Sequence, residues 1–413
     1  MTVNILKGTM GRLKCNYSLL DLIFSVTGFC TFLIDVGTDF WVASEFFSHG
    51  DFIWFGVWIF FMISSSIVVQ AFSWLWYKYD RKVDGFETKT AEENVLFGTE
   101  RFLRLSSVLH IFQLGFLFRY ISTVWQGVRL RCNGELSSDF VLYMDHDISM
   151  LRLIKTFCES TPQLTLMIYI LLHNSHVGTF QYISPAVSMI SIAWMVVSYH
   201  RAMRSFLPDK ANQGWGSSVL YFLWNLLLIG QRICSVALFA SVLPYCLLYH
   251  FLLLWPSLIL WAHLQKTAFM DSTFGEWLYR TIVGLVWYFS WFNVVEGNTK
   301  GRAVIYHAFM VTDGAILLTT WWCYRDSEKT QHYAIWLVSI LVLVHILGIL
   351  VKILYYRCFH PTLSLPPAGT DREDMLDGKT LWQNQRMERQ SNYFYATEQS
   401  LPLTRNVNRA ASL

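Results

Sequence analysis

Ten apolar runs follow one another between residues 18 and 357, each long enough to cross a hydrocarbon layer about 30 Å thick. They lie at approximately 18–47, 51–78, 103–128, 148–173, 177–203, 216–241, 244–265, 276–295, 303–323 and 333–357. Backbone in lipid must satisfy its own N–H and C=O groups, so such runs become helices or the strands of a closed barrel. Barrel strands would alternate apolar and polar residues, and these runs do not. An all-α polytopic membrane protein is therefore expected. Composition agrees, since 54% of the chain is hydrophobic and only 15% is charged, too little to cover a soluble surface. The near-neutral net charge of +3 gives no indication of nucleic acid, and no nucleic acid is expected as a partner. The eight cysteines show no C-x-x-C spacing and read as small packing residues, without a disulfide framework or a zinc site. Lys7, Arg12 and Lys14 precede a long run that contains aspartates, which argues against a cleaved signal peptide.

Not all ten runs can cross. Lys and Arg collect in cytosolic loops. The loop 78–104 holds Lys78, Arg81, Lys82, Lys89, Arg101 and Arg104, and Arg129, Arg131, Arg152 and Lys155 follow the third run. Both flanks of 103–128 thus belong to the cytosol, and Arg104, His110, Gln113 and Arg119 within it fit a re-entrant helix. Run 276–295 sits between Lys266 and Arg280 on one side and Lys300 and Arg302 on the other, and is read the same way. The turns 173–176 and 242–243 carry no Lys or Arg and suit the outer face; the turn with Arg325 and Lys329 is offset by Asp326 and Glu328. The expected architecture is eight transmembrane helices plus two re-entrant, non-crossing helices, with cytosolic N- and C-termini. The order span, span, dip, span, span occurs twice. It gives two pseudo-repeated halves, 18–205 and 206–357, between a cytosolic N-terminus 1–17 and a regulatory tail 358–413.

Several charges fall inside these runs. Asp35 and Asp39 are four residues apart on one helical face, as are Lys155 and Glu159, with Arg152 one turn earlier. Arg201 and Arg204 close the fifth run, and Arg232 and Asp313 lie midway along the sixth and ninth. A charge at the bilayer centre costs at least ~2.5–3.5 kcal/mol, so each needs a partner or water. Two readings fit: buried ion pairs that fix helix packing, and a polar track that lowers the barrier for something charged. A ladder of alternating sign can do both. Pro162 removes a backbone donor near mid-helix and should bend or loosen the chain beside Glu159. His146, His200, His263, His307 and His345 have no ligand spacing and read as core or interface residues. No G-x-x-x-x-G-K-[ST], G-x-S-x-G or H-E-x-x-H occurs, so neither an enzyme nor a cofactor nor a metal is expected.

After the last run comes "GTDREDMLDGKTLWQ". Acidic residues and glycine are ordinary in a solvated tail. Asp374 and Asp377 followed by Gly378 are also the pattern cut by an apoptotic caspase, in a segment with Pro and Gly that suits an extended, accessible chain.

The run "SMLRLIKTFCESTPQLTL" resembles the XK-related family of membrane proteins. So do "LIDVGTDFW", "AFSWLW", "HIFQLGFLFR", "YHRAMR" followed by "LPDK", and "EWLYR…YFSWFNVVEGNTKGRA", which together cover the chain from about 20 to 360. The resemblance implies eight spans with two helices that enter without crossing. It also implies ATP-independent, bidirectional phospholipid scrambling at the plasma membrane, which exposes phosphatidylserine once an effector caspase removes the tail. A single-pass immunoglobulin-type subunit, basigin or neuroplastin, is the implied partner. The implied head-group track maps onto Asp21, Asp35, Asp39, Asp147, Glu159, Arg201, Arg232 and Asp313. The chain departs from the family pattern at Lys155, where relatives carry an acid, and at Ser198, where they carry Asp before "YHRA". The alternative function is an ion channel or small-solute transporter using the same track.

Overall fold

The computed structural model describes residues 17–80, 107–133, 138–173, 179–206, 213–294 and 299–360, which are helical and contain no strand. The long helices are α1 (Leu19–Ser48), α2 (Phe52–Asp80), α3 (Gly115–Asn133), α4 (Ser138–Lys155), α5 (Thr161–His173), α6 (Thr179–Phe206), α7 (Trp215–Val242), α8 (Pro244–Leu264), α9 (Thr273–Phe289), α10 (Thr299–Tyr324) and α11 (Ala334–Leu354). Among the described residues, six helical stretches are long and apolar enough to cross a membrane: Leu19–Ser48, Phe52–Tyr79, Trp215–Val242, Pro244–Leu264, Lys300–Tyr324 and Ala334–Phe359. The fourth and fifth apolar runs fall on α4–α5 and α6, which are not among these six. The protein is thus a multi-pass helical membrane protein.

Local sequence explains how the helices begin. Ser18 and Asp21 form a capping box at α1: Ser18 Oγ accepts from the Asp21 N–H at 3.2 Å, and Asp21 Oδ2 accepts from the Ser18 N–H at 3.0 Å. Pro244 sits at the first position of α8, where its missing N–H costs nothing, so α7 and α8 join through Leu243 alone. Between α4 and α5 the backbone widens into a π-helical turn, Thr156–Ser160, in which the Thr161 N–H bonds to the Thr156 carbonyl five residues back. The turn ends just before Pro162, whose ring would crowd an α-helical carbonyl four residues earlier.

α7 is the centre of the bundle. Protein buries 72% of its apolar window, against 17–28% for the other five candidate spans. It packs on α5 and α6 from the first half and on α8, α10 and α11 from the second. One apolar core runs through both halves, from Phe72 and Trp76 of α2 through Leu151 and Leu164 to Ile233 of α7 and Trp287 of α9.

The third and eighth runs differ from simple helices. The chain is helical at 107–111, breaks at Gln113, which takes a left-handed φ of 64°, and restarts as α3, which continues to Asn133 rather than ending at 128. Gln70 of α2 satisfies the break from both sides, its Nε2 donating to the Gln113 carbonyl at 2.9 Å and its Oε1 accepting from the Phe116 N–H at 3.1 Å. Run 276–295 becomes α9, capped at its start by Ser272 and stopping at Phe289, where Ser290 turns extended. Its last carbonyls are not left bare: Arg232 Nε donates to Tyr288 O at 3.0 Å and the Tyr306 hydroxyl to Trp287 O at 2.7 Å. Side chains from neighbouring helices thus finish the backbone bonding of both segments, which is what irregular backbone requires away from water.

Candidate functional site

α1 presents Asp35 and Asp39 to α4, and α4 returns Lys155 with Glu159 on the following π turn. Lys155 Nζ lies 2.5 Å from Asp35 Oδ2, 3.0 Å from Glu159 Oε1 and 3.8 Å from Asp39 Oδ2. Asp39 and Glu159 are buried, while Asp35 is partly open. The ligand oxygens of the three carboxylates lie within 4.8 Å of one another, a spacing that could hold a cation. Here the Lys155 ammonium stands among them as a tethered cation and leaves this group one positive charge against three carboxylates. A small, partly open pocket adjoins it, lined by Phe32, Asp35, Arg152, Lys155, Ser160 and Met195 among others.

Arg152, one turn before Lys155, is buried and donates to Thr31 Oγ1 at 3.2 Å, with its guanidinium 5.7 Å from the Tyr120 ring centroid. It passes directly over Gly28 of α1, where any Cβ would collide with its guanidinium. Gly28 is therefore the reason that an arginine fits between α1 and α4.

The remaining residues of the expected track fall into separate groups. Asp147 is fully buried and pairs with Arg119 of α3 at 2.5 Å, and Arg119 also donates to the Ser73 carbonyl of α2 at 3.1 Å. Asp21, besides capping α1, accepts from Ser205 Oγ at 3.4 Å. Arg201 donates to the Gln213 carbonyl at 2.8 Å and to Ser218 Oγ at 3.0 Å, with its guanidinium 4.5 Å from the Phe24 ring. In the second half Arg232 of α7 pairs with Asp313 of α10, whose other oxygen lies 2.9 Å from His250 Nε2; His250 Nδ1 is 2.9 Å from the Tyr288 hydroxyl. Arg232 and Asp313 bond to one another and to second-half groups and, among the described residues, to no charge of the first half. The structure therefore joins Asp35, Asp39 and Glu159 in one site and separates them from Arg232 and Asp313.

Two partners were not named for their roles by the sequence. His250 lies 63 residues from Asp313, and Arg119 28 residues from Asp147, so no local spacing announces either pair. Asp145 is a third omission, a buried carboxyl on α4 beside two residues that the sequence did single out. Asp374, Asp377 and Gly378 lie outside the described residues. The seven described cysteines are free thiols.

Comparison with known proteins gives consistent matches along the chain. A family profile described as XK-related protein matches residues 23–361. XK-related protein 8 of Gasterosteus aculeatus is 57% identical over 358 residues, covering 87% of this chain and 88% of that protein. The protein of the same name from Tetraodon nigroviridis is 56% identical over 353 residues, covering 86% of each. That of Pan troglodytes is 36% identical over 395 residues, covering 91% of this chain and 94% of the relative.

Proposed function

Because this chain belongs to the XK-related family, we propose that it is a phospholipid scramblase of the plasma membrane, a bidirectional path for lipid head groups that needs no ATP. The observation that carries this reading is the group Asp35, Asp39, Lys155 and Glu159, with Asp39 and Glu159 buried between helices and Asp35 partly open at an adjoining pocket. A phospholipid does not flip unaided because its zwitterionic head must leave water for hydrocarbon. Carboxylates arranged around one ammonium present both signs within a few ångströms. The lipid amine can exchange with Lys155 at the carboxylates while the phosphate meets Lys155 or Arg152, whose planar fork suits phosphate oxygens. The acyl chains stay outside in lipid. No bond is made or broken, so the activity requires no catalytic group.

The chain is expected to cross eight times and dip twice, with both termini in the cytosol. The bonding of Gln70 to the break at Gln113, and of Arg232 and Tyr306 to the end of α9, supports the two dips. In this reading an effector caspase cuts after Asp377 and releases the tail from Gly378 onward, and phosphatidylserine appears outside. A single-pass immunoglobulin-type subunit, basigin or neuroplastin, escorts the chain to the surface.

Reconstitution of the tail-cleaved protein into liposomes with fluorescent lipid tests the proposal. Leaflet exchange without ATP supports it. Ion flux without lipid exchange would replace it with a channel, and the absence of both would leave the charges as packing elements only.

A further inference from the structure

Lys352 lies two residues from the end of α11. A lysine this near a helix end ordinarily reaches out to the membrane surface. Lys352 instead turns inward: its Nζ lies 2.5 Å from His307 Nε2 of α10 and 4.6 Å from the ring centroid of buried Trp224 on α7. Among the described residues no carboxylate pairs with it, whereas Lys155 has three and Arg232 has Asp313. Two turns back along the same face, His345 Nδ1 bonds to Gln231 Oε1 at 3.0 Å, while its Nε2 is buried without a partner.

The helices around this group diverge. At the end near the α10–α11 connection, Leu238, Leu318, Trp321, Ala334 and Leu341 join α7, α10 and α11 in one apolar cluster. At the opposite end the buried cluster is Trp224, Leu228, Val351 and Tyr355, which come from α7, α11 and the turn after it, with none from α10. A furrow therefore opens between α10 and α11, floored by α7, with Lys352 and His307 across it. Val304 and Val311, within one turn of His307 on α10, are exposed apolar side chains beside it.

We propose that Lys352 and His307 hold the phosphate of an anionic phospholipid whose acyl chains lie in this furrow, at a site separate from Arg232, Asp313 and His250. The chemistry is that of an uncompensated cation. An ammonium out of water needs an anion, and none of the described residues supplies one. A phosphate oxygen placed between the two side chains accepts from the ammonium, and from His307 Nε2 once the imidazole proton resides there. The apolar flanks favour a phosphate that arrives attached to acyl chains over free phosphate. The site holds whether or not the chain moves lipid, because it concerns a bound molecule and uses none of the groups assigned to transport.

The test is binding of dioctanoyl phosphatidic acid to the purified, delipidated full chain, followed by native mass spectrometry and by the shift in melting temperature. Saturable binding is expected. In Lys352→Gln it should weaken at least fivefold, and in Lys352→Arg it should persist. Lys352→Gln should also raise the melting temperature of the lipid-free protein, because it removes a half-buried cation that no carboxylate among the described residues pairs with, while losing the lipid-induced shift. His307→Ala, which leaves the lysine in place, should weaken binding too and serves as the second variant if Lys352→Gln does not fold. Unchanged phosphatidic acid binding in both variants overturns the proposal. Equal stabilisation by inorganic phosphate, or by dioctanoylglycerol, overturns the lipid-phosphate assignment.

Discussion

The pair Arg232–Asp313 separates packing from transport at the level of single side chains. Asp313→Asn leaves the Arg232 guanidinium without its carboxylate, at a cost of about 3–5 kcal/mol for a broken buried pair. Surface protein, measured by biotinylation, should fall sharply. The double variant Arg232→Met with Asp313→Leu removes both charges and should recover most of that surface level. If scrambling recovers with it, the pair serves packing; if scrambling stays lost at normal surface level, the pair lies on the lipid path. Lys155→Gln should behave differently, because it strands Asp35, Asp39 and Glu159 together and no single second change removes the repulsion. A fall in melting temperature is expected, and Lys155→Arg should restore most of it. Much of this site was legible in the sequence. A charge inside an apolar run needs a partner, and the four-residue spacings put Asp35 with Asp39 and Lys155 with Glu159. What spacing could not supply was the pairing between helices. His250 and Arg119 reach their carboxylates only through the tertiary fold, and Gly28 shows its role only once Arg152 is seen to lie over it.

Among the elements, the break at Gln113 depends on one side chain of another helix. Gln70→Leu orphans the Gln113 carbonyl and the Phe116 N–H together, each at a cost of about 1–3 kcal/mol when buried. The melting temperature should fall, and hydrogen exchange should quicken at Phe116 while the core of α7 stays protected. Equal loss of protection throughout the bundle would argue that Gln70 supports the whole fold and not this break. The sequence marked 103–128 as unable to cross, from the basic residues on both of its flanks. It did not place the break, because Gln113 carries no turn signal of its own and is held by a residue 43 positions earlier. Pro162 is the contrasting case, a local signal with a local consequence. The π turn at Thr156–Ser160 lies directly before it, where proline chemistry calls for a loosened backbone.

For the molecule as a whole, the proposed switch resides in the tail. Asp377→Ala should block cleavage by an effector caspase, and cells relying on that variant alone should fail to expose phosphatidylserine during apoptosis; normal exposure in such cells would refute the switch. The membrane class of the chain was readable from its apolar runs. The central place of α7 was not, because its run looks much like its neighbours until the packing is known. That place bears on how the protein is made. A ribosome delivers the chain from its N-terminus at about 5–20 residues per second. Roughly half of the helices must therefore wait in the membrane before the one they surround is synthesised. During that interval the faces of α5 and α6 destined for α7 have no partner, and Arg201 lacks Gln213 and Ser218. A fragment ending at residue 212 should consequently be degraded when expressed alone and rescued by co-expression of the remainder, as pulse-chase labelling would record. For this bundle, biogenesis is an unfinished ring waiting for its hub.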